Sequence, residues 1–376
     1  MTEKKQITTT QWCVLVFICS MAIKMFMVPA LLVKVSKKES IFVMAFYILI
    51  EIINTLLVVF TAKRNPDKTY YEILTTALGK VGAKIVVAYF TIFLLVKYLL
   101  ILSEIKVFFS VSVYDTIDWK VMIIPIIALC VAYANKTLLT LGRSAEILVP
   151  IIIISTLVLC VFLIGNIELS NLLPFFENGM QDFINGVDTF PIWFGDVSLL
   201  LICLGNIKIN KKTALLTVVF RCISAILVLS FALIMFATYA DISHLVDYGH
   251  NVSSMTQYSI GSNDFGRFDY IVYCFWLLSV FIKVALIFYV CVRNVIFITG
   301  KKNNLITSIA LAIVTYLLTS FVLRNENSTY VLCTSALKYF LLPAEFLLPI
   351  SVFIMARIKL EKAKEDKGNK CNEKTA

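Results

Sequence analysis

"GVDTFPIWFGDVSLLLICLG", residues 186–205, carries a proline, a glycine and an acid inside a run apolar enough to cross a bilayer. Pro191 has no backbone N–H, Gly195 relaxes the dihedral limits, and Asp196 follows at once. Backbone freed from helical pairing survives at membrane depth only where it faces protein or a water-filled cavity. A carboxylate in the hydrocarbon costs about 3 kcal/mol on insertion scales. The stretch therefore reads as a discontinuous span, with freed carbonyls and amides able to face a ligand.

A second interrupted stretch lies near the start, "CSMAIKMFMVPALLV", residues 19–33. Lys24 stands in its middle, and Pro29 follows five residues on. Composition agrees with a membrane setting. Of 376 residues, 60% are hydrophobic and only 15% are charged, against about 25% charged in soluble domains. Ten segments are taken as spans, at 11–33, 41–62, 82–112, 121–135, 144–166, 186–207, 214–239, 268–298, 304–323 and 335–357. A helix needs about 20 residues to cross 30 Å, so 121–135 is the shortest of the set. The first run is too long for a signal-peptide core and has no small-residue cleavage site after it. It is expected to stay in the mature protein.

Charge orients the spans. With the N-terminus inside, 21 of the 34 basic residues fall on the inner side and 6 on the outer side. That asymmetry fits ten spans with both ends cytoplasmic. The net charge of +10 is then topology and anionic-lipid contact; nucleic acid is not an expected partner. Residues 1–357 read as one transmembrane domain and 358–376 as a charged cytoplasmic tail. The ten cysteines, none in a CxxC pair, read as small apolar residues. His244 and His250 lie in the polar outer loop near 240–267 and read as solvated.

The two halves share a pattern. Their third spans, 82–112 and 268–298, are the longest, and their first spans carry Pro29 and Pro191. Five spans per half invert the second half in the membrane. The expected fold is an all-α membrane protein with a LeuT-like five-plus-five inverted repeat. Repeat one covers about 11–166, repeat two about 186–357, and helices 1 and 6 are broken.

Ionisable residues inside spans default to a functional hypothesis with a partner. They are Lys24, Glu51, Lys97, Glu104, Lys106, Asp188, Asp196, Arg221, Lys283, Lys338 and Glu345. Asp188, Arg221 and Lys338 lie within about two turns of a helix end and are expected to snorkel. Lys97 and Glu104 are seven apart, on one helical face, and are expected to pair with other spans. Lys24, Asp196 and Lys283 are the strongest site candidates, with Lys24 and Asp196 facing each other across the packed spans 1, 3, 6 and 8. A plain buried salt bridge is the other reading of that pair. Lys97, Lys283 and Glu51 join these two as the ion-pair or coupling set. Phe190, Trp193, Phe194, Trp276 and Tyr289 could shape a pocket, or pack.

The chain resembles the B subunit of the spore-germination nutrient receptors, the GerAB-like branch of the amino acid–polyamine–cation transporter superfamily. The resemblance is carried by "TTTQWCVLVFI" (8–18), "VPALL" (28–32), "SEIKVFF" (103–109), "LGRSAEILVPIIII" (141–154), "NLLPFFENG" (171–179), "FGDVSLLL" (194–201), "KINKK" (208–212), "GRFDYIVYCFWLLSVFIKVALIFY" (266–289) and "YFLLPAEFLLP" (339–349). It implies a LeuT-like fold in the inner spore membrane. It also implies a receptor complex with a membrane A subunit and a C-subunit lipoprotein. The germinant, often an amino acid, would bind around Ala22–Met25, Leu100–Glu104, Phe194–Asp196 and Tyr289.

Two departures bear on that site. The family's glycine-rich stretch before "LP" is "MAIKMFMVP" here, with Ala22 and Lys24 in place of glycines. Span 3 has Leu100 where an arginine is expected before "SE". A different ligand, an ammonium replacing missing amides or a bound cation, or loss of binding would each follow. No HExxH, Gly-x-Ser-x-Gly or P-loop lysine is present, so no enzyme and no cofactor is expected. The rival to a receptor subunit is an amino-acid permease, proton-coupled through Glu104 or Asp196.

Overall fold

The computed structural model describes residues 7–25, 28–112, 118–163, 167–177, 179–238, 269–301, 303–322, 331 and 334–357. The expected tail and both histidines lie outside these residues. Everything regular in the described chain is helical: α1 (Thr9–Met21), α2 (Val28–Ser36), α3 (Ser40–Arg64), α4 (Tyr70–Ser112), α5 (Trp119–Ala134), α6 (Leu138–Leu163), α7 (Gln181–Thr189), α8 (Lys211–Thr238), α9 (Asp269–Thr299), α10 (Asn304–Val322) and α11 (Leu337–Arg357). Short 3₁₀ segments join some of them.

Among the described residues, seven helices are long and apolar enough to span, or eight if the bent pair 181–203 is one span. Ten expected spans exceed that count for a local reason. The first stretch breaks after Met21, which leaves α1 with 13 residues, about 20 Å at 1.5 Å per residue. The fourth, α5, has 16. Residues 70–78, outside the expected spans, also form a helix, which Gly79 separates from the rest of α4 at φ 73° and ψ 174°.

Burial separates inner from outer helices. The most apolar stretch of α9 is 78% buried by protein and that of α10 only 17%. The centre is therefore α1, buried from Gln11 through Met21, and α9, wrapped by α4, α5 and α6, whereas α10 is a rim helix. Ile306, Ile309, Ile313, Leu317 and Phe321 form an exposed apolar stripe at three- and four-residue spacing. Ser308, Leu311, Thr315 and Thr319 face inward on the other side. Apolar out and small-polar in is the pattern of a helix whose solvent is lipid.

The entry of α1 is fixed locally. Thr8 and Gln11 form a reciprocal capping box, which satisfies two orphan donors. The Trp12 indole donates to Thr217 Oγ1 at 2.8 Å, and Gln11 Nε2 donates to Glu146 Oε2 at 3.1 Å. These contacts tie α1 to α8 and α6, so the break that follows is held in a defined place.

Candidate functional site

Both interrupted stretches are interrupted in the structure, and they meet. After α1, Ala22 caps the helix with its N–H still on the Ile18 carbonyl at 3.0 Å, and Ala22–Met25 form a turn. In the second stretch, α7 ends at Thr189, Pro191–Trp193 make one 3₁₀ turn, and Gly195 sits at φ 76°. The chain resumes as an eight-residue 3₁₀ segment, Asp196–Cys203, where runs beyond three or four are uncommon. The two halves of this span are bent by 59°. Gly195 is required twice over. Its φ favours glycine, and a Cβ there would stand 1.9 Å from Glu345 Cγ.

Seven charged side chains converge at these breaks, each from a different segment. Asp196 is the hub. Its Oδ2 lies 2.9 Å from Lys24 Nζ and 2.7 Å from Lys283 Nζ, and its Oδ1 lies 2.7 Å from Lys97 Nζ. Glu51, on α3, is the second hub. Its Oε1 accepts from Lys24 Nζ, from the Gly195 amide at 2.7 Å and from the Asp196 amide at 3.2 Å. Its Oε2 accepts from Arg221 Nη2 at 2.6 Å. Glu51 thus occupies the exposed amides at the start of a helical segment, where the dipole favours an anion. Lys97 also donates to the Phe194 carbonyl at 2.7 Å and lies 3.3 Å from Glu345 Oε1. All seven side chains are at most 2% exposed.

Glu345 projects from Pro343–Leu347, a π-helical turn inside α11. Such turns are rare and concentrate at functional sites. Aromatic rings cover the cluster on one side. Phe194 stacks on Tyr47 at 4.6 Å, Tyr47 on Phe346 at 6.0 Å, and Lys24 Nζ lies 5.5 Å from the Phe194 ring centroid. Beyond these rings is a cavity of about 400 Å³ lined by Tyr47, Phe183, Val187, Asp188, Pro191 and Phe346, among others.

The expected site residues fall into three groups. Lys24, Glu51, Lys97, Phe194, Gly195, Asp196 and Lys283 come together. Ala22 and Met25 flank the same break: the Trp276 indole donates to the Ala22 carbonyl at 2.5 Å, and Thr156 donates to Met25 Sδ at 3.7 Å. Leu100 is buried on α4, and Glu104, one turn beyond it, is buried beside Trp193. Tyr289 stands apart, its ring 4.9 Å from the Arg293 guanidinium.

Arg221 and Lys338 correct the expectation of snorkelling. Arg221 is 2% exposed and bound to Glu51; Lys338 is 4% exposed and bound to Asp188. Distance from a helix end does not decide this. The facing helices cover both side chains before they reach a headgroup. Glu345 and Arg221 are members of the cluster that lie outside the site expected from sequence. The signal for Glu345 is its place one residue beyond the proline of "LLPA" and its alanine. Among the described residues no group of three or more His, Cys, Asp or Glu is arranged to hold a metal ion.

Comparison with known proteins points in the same direction. The profile of a family described as spore germination protein matches residues 6–329. The spore germination protein YndE of Bacillus subtilis (strain 168) is 26% identical over 278 residues, 72% of this chain and 74% of that one. A crystal structure of a manganese transporter mutant from Eremococcus coleocola superposes with a TM-score of 0.53, over 93% of this chain and 77% of that one, at 7% identity. That likeness shows the fold, a LeuT-type transporter fold, and nothing of the cargo.

Proposed function

The chain belongs to the spore germination protein family, and we propose that it serves there as the ligand-binding B subunit of a germination receptor. It is an integral membrane protein of transporter type, not an enzyme. In this reading it lies in the inner spore membrane with both termini cytoplasmic. Its ten spans form a five-plus-five inverted repeat within one domain, 1–357. A small molecule such as an amino acid binds where the breaks of the first and sixth spans meet. Binding shifts the broken helices between two states, which a membrane A subunit and a C-subunit lipoprotein sense. The ligand shifts that equilibrium only by its differential affinity for the two states.

The observation that carries the proposal is the charge cluster. Lys24 bridges Glu51 and Asp196, so one side chain of the first break is locked to the amides and carboxylate of the second. A ligand bearing charge acts on that lock directly. The test is thermal stability of the purified protein against amino acids, simple carboxylates, sugars and nucleosides, with Lys24→Gly beside the wild type. A ligand at 100 times its Kd adds about 2.7 kcal/mol. A shift that vanishes in Lys24→Gly supports the site. No shift with any compound, and simple destabilisation in Lys24→Gly, leaves Lys24 a structural ion-pair partner and removes the reading.

A second reading, an amino-acid permease, is favoured by the fold likeness to a transporter. Uptake of a labelled amino acid by the protein alone in vesicles distinguishes it from a subunit that acts only with its partners.

A further inference from the structure

We infer that the site at the two breaks takes a small monocarboxylate that carries no ammonium group. The inference rests on the reading that this site binds a small molecule, and it replaces the zwitterionic amino acid offered there as the example with an anion. Four cations, Lys24, Lys97, Lys283 and Arg221, face three carboxylates, Glu51, Asp196 and Glu345. Counted by formal charge, the seven groups leave one positive charge in excess. A proton on Glu345 makes the excess two. Buried charge without a counter-charge is strongly unfavourable. A monoanion closes the balance, a zwitterion leaves it unchanged, and an amine enlarges it.

The distribution of partners points the same way. Asp196 is shared among three ammonium groups, and Glu51 takes an ammonium, a guanidinium and two amides. The carbonyl of Phe194 is taken by Lys97 and that of Ala22 by Trp276. An incoming ammonium group finds these acceptors filled. Two carboxylate oxygens of the cluster, Glu345 Oε2 and Asp196 Oδ1, are buried without a hydrogen-bond partner, and the second already lies 2.7 Å from Lys97 Nζ. Lys97 also lies 3.3 Å from the other oxygen of the Glu345 carboxylate, so an ammonium drawn there meets a like charge. On the donor side, Arg221 Nε is buried without a hydrogen-bond partner. Each lysine ammonium has three donors and no acceptor. The residue that sets the excess is Lys24, which stands in the first break itself.

L-lactate and L-alanine test this directly, because they differ only in a hydroxyl against an ammonium group. Binding of sodium L-lactate, L-alanine and ethanolamine is measured on the full chain in nanodiscs at constant ionic strength. L-lactate should bind about tenfold tighter than L-alanine, and ethanolamine should not bind. Lys24→Met brings the cluster to three cations against three carboxylates and should weaken L-lactate by about tenfold. Glu345→Gln adds to the excess and should tighten it, which keeps the test open if Lys24→Met does not fold. L-alanine binding as well as or better than L-lactate overturns the charge inference and leaves the site reading standing. L-lactate binding that is indifferent to both substitutions places it elsewhere and also overturns the inference. Binding of none of the three, nor of any amino acid, sugar or nucleoside, overturns both.

Discussion

Asp196→Asn keeps the shape of the hub and removes its charge. Three ammonium groups lie 2.9, 2.7 and 2.7 Å from the carboxylate. At an effective dielectric constant of about 20, each contact is about 6 kcal/mol of gross attraction. Most of this is offset by desolvation, several kcal/mol per ion. Removing one partner of a buried pair costs about 3–5 kcal/mol, because the other is left buried and uncompensated. Here three cations lose their common counter-charge, so about 5 kcal/mol is expected. Equilibrium unfolding in mixed micelles, followed by tryptophan fluorescence, reads it; Trp193 and Trp276 are both buried near the breaks. Adding Lys283→Met removes one orphaned cation and should restore about 2 kcal/mol, within the usual range of coupling between contacting residues. A loss below about 1 kcal/mol, the range of a solvent-exposed ion pair, would refute the argument that the hub holds the breaks together.

Arg221→Met leaves Glu51 Oε2 without its 2.6 Å partner and should cost about 3–5 kcal/mol by the same unfolding assay. A snorkelling arginine at that position would give a far smaller loss. Gly195→Ala forces an L residue to φ 76° and sets a Cβ against Glu345; strain alone is about 1–3 kcal/mol. Pairing it with Glu345→Ala relieves the overlap and not the dihedral, so stability should recover in part. Trp12→Phe removes the indole donor to Thr217 and should cost about 1 kcal/mol, because Thr217 keeps its bond to the Thr213 carbonyl.

The second break was legible because Pro191 and Gly195 act through the backbone of their own residues, so a local pattern is enough; the first has no glycine, and its Pro29 lies inside α2 beyond the turn, so Lys24 in an apolar run was its main mark. Lys24 and Asp196 were legible as partners for a different reason. Each sits at such a break, and each needs a counter-charge that the apolar neighbours do not supply. What the sequence hid depends on rotation and tilt. Arg221 directly follows the apolar run Val218, Val219 and Phe220, which leaves it free to face lipid or protein; only the packing of α8 against α3 turns it to Glu51. Glu345 is one helical residue among many until the π turn aims it at Gly195. Tyr289 lies six residues beyond Lys283, most of two turns along α9 at 3.6 residues per turn, and its ring meets Arg293 instead.

The network also sets a scale for switching. Any motion that separates the first break from the second must part Lys24 from Glu51, from Asp196, or from both. Each parted contact leaves a buried charge, on the order of 3–5 kcal/mol. Moving a two-state equilibrium from 1:99 to 99:1 takes about 5.5 kcal/mol of differential binding. The two quantities are of similar size. A single small ligand that supplies a counter-charge to Lys24 in the separated state is therefore enough to throw the switch. A ligand in the cavity beside Tyr47, Pro191 and Phe346, which touches none of the seven charges, moves the equilibrium only by the difference in its affinity for the two shapes of that cavity.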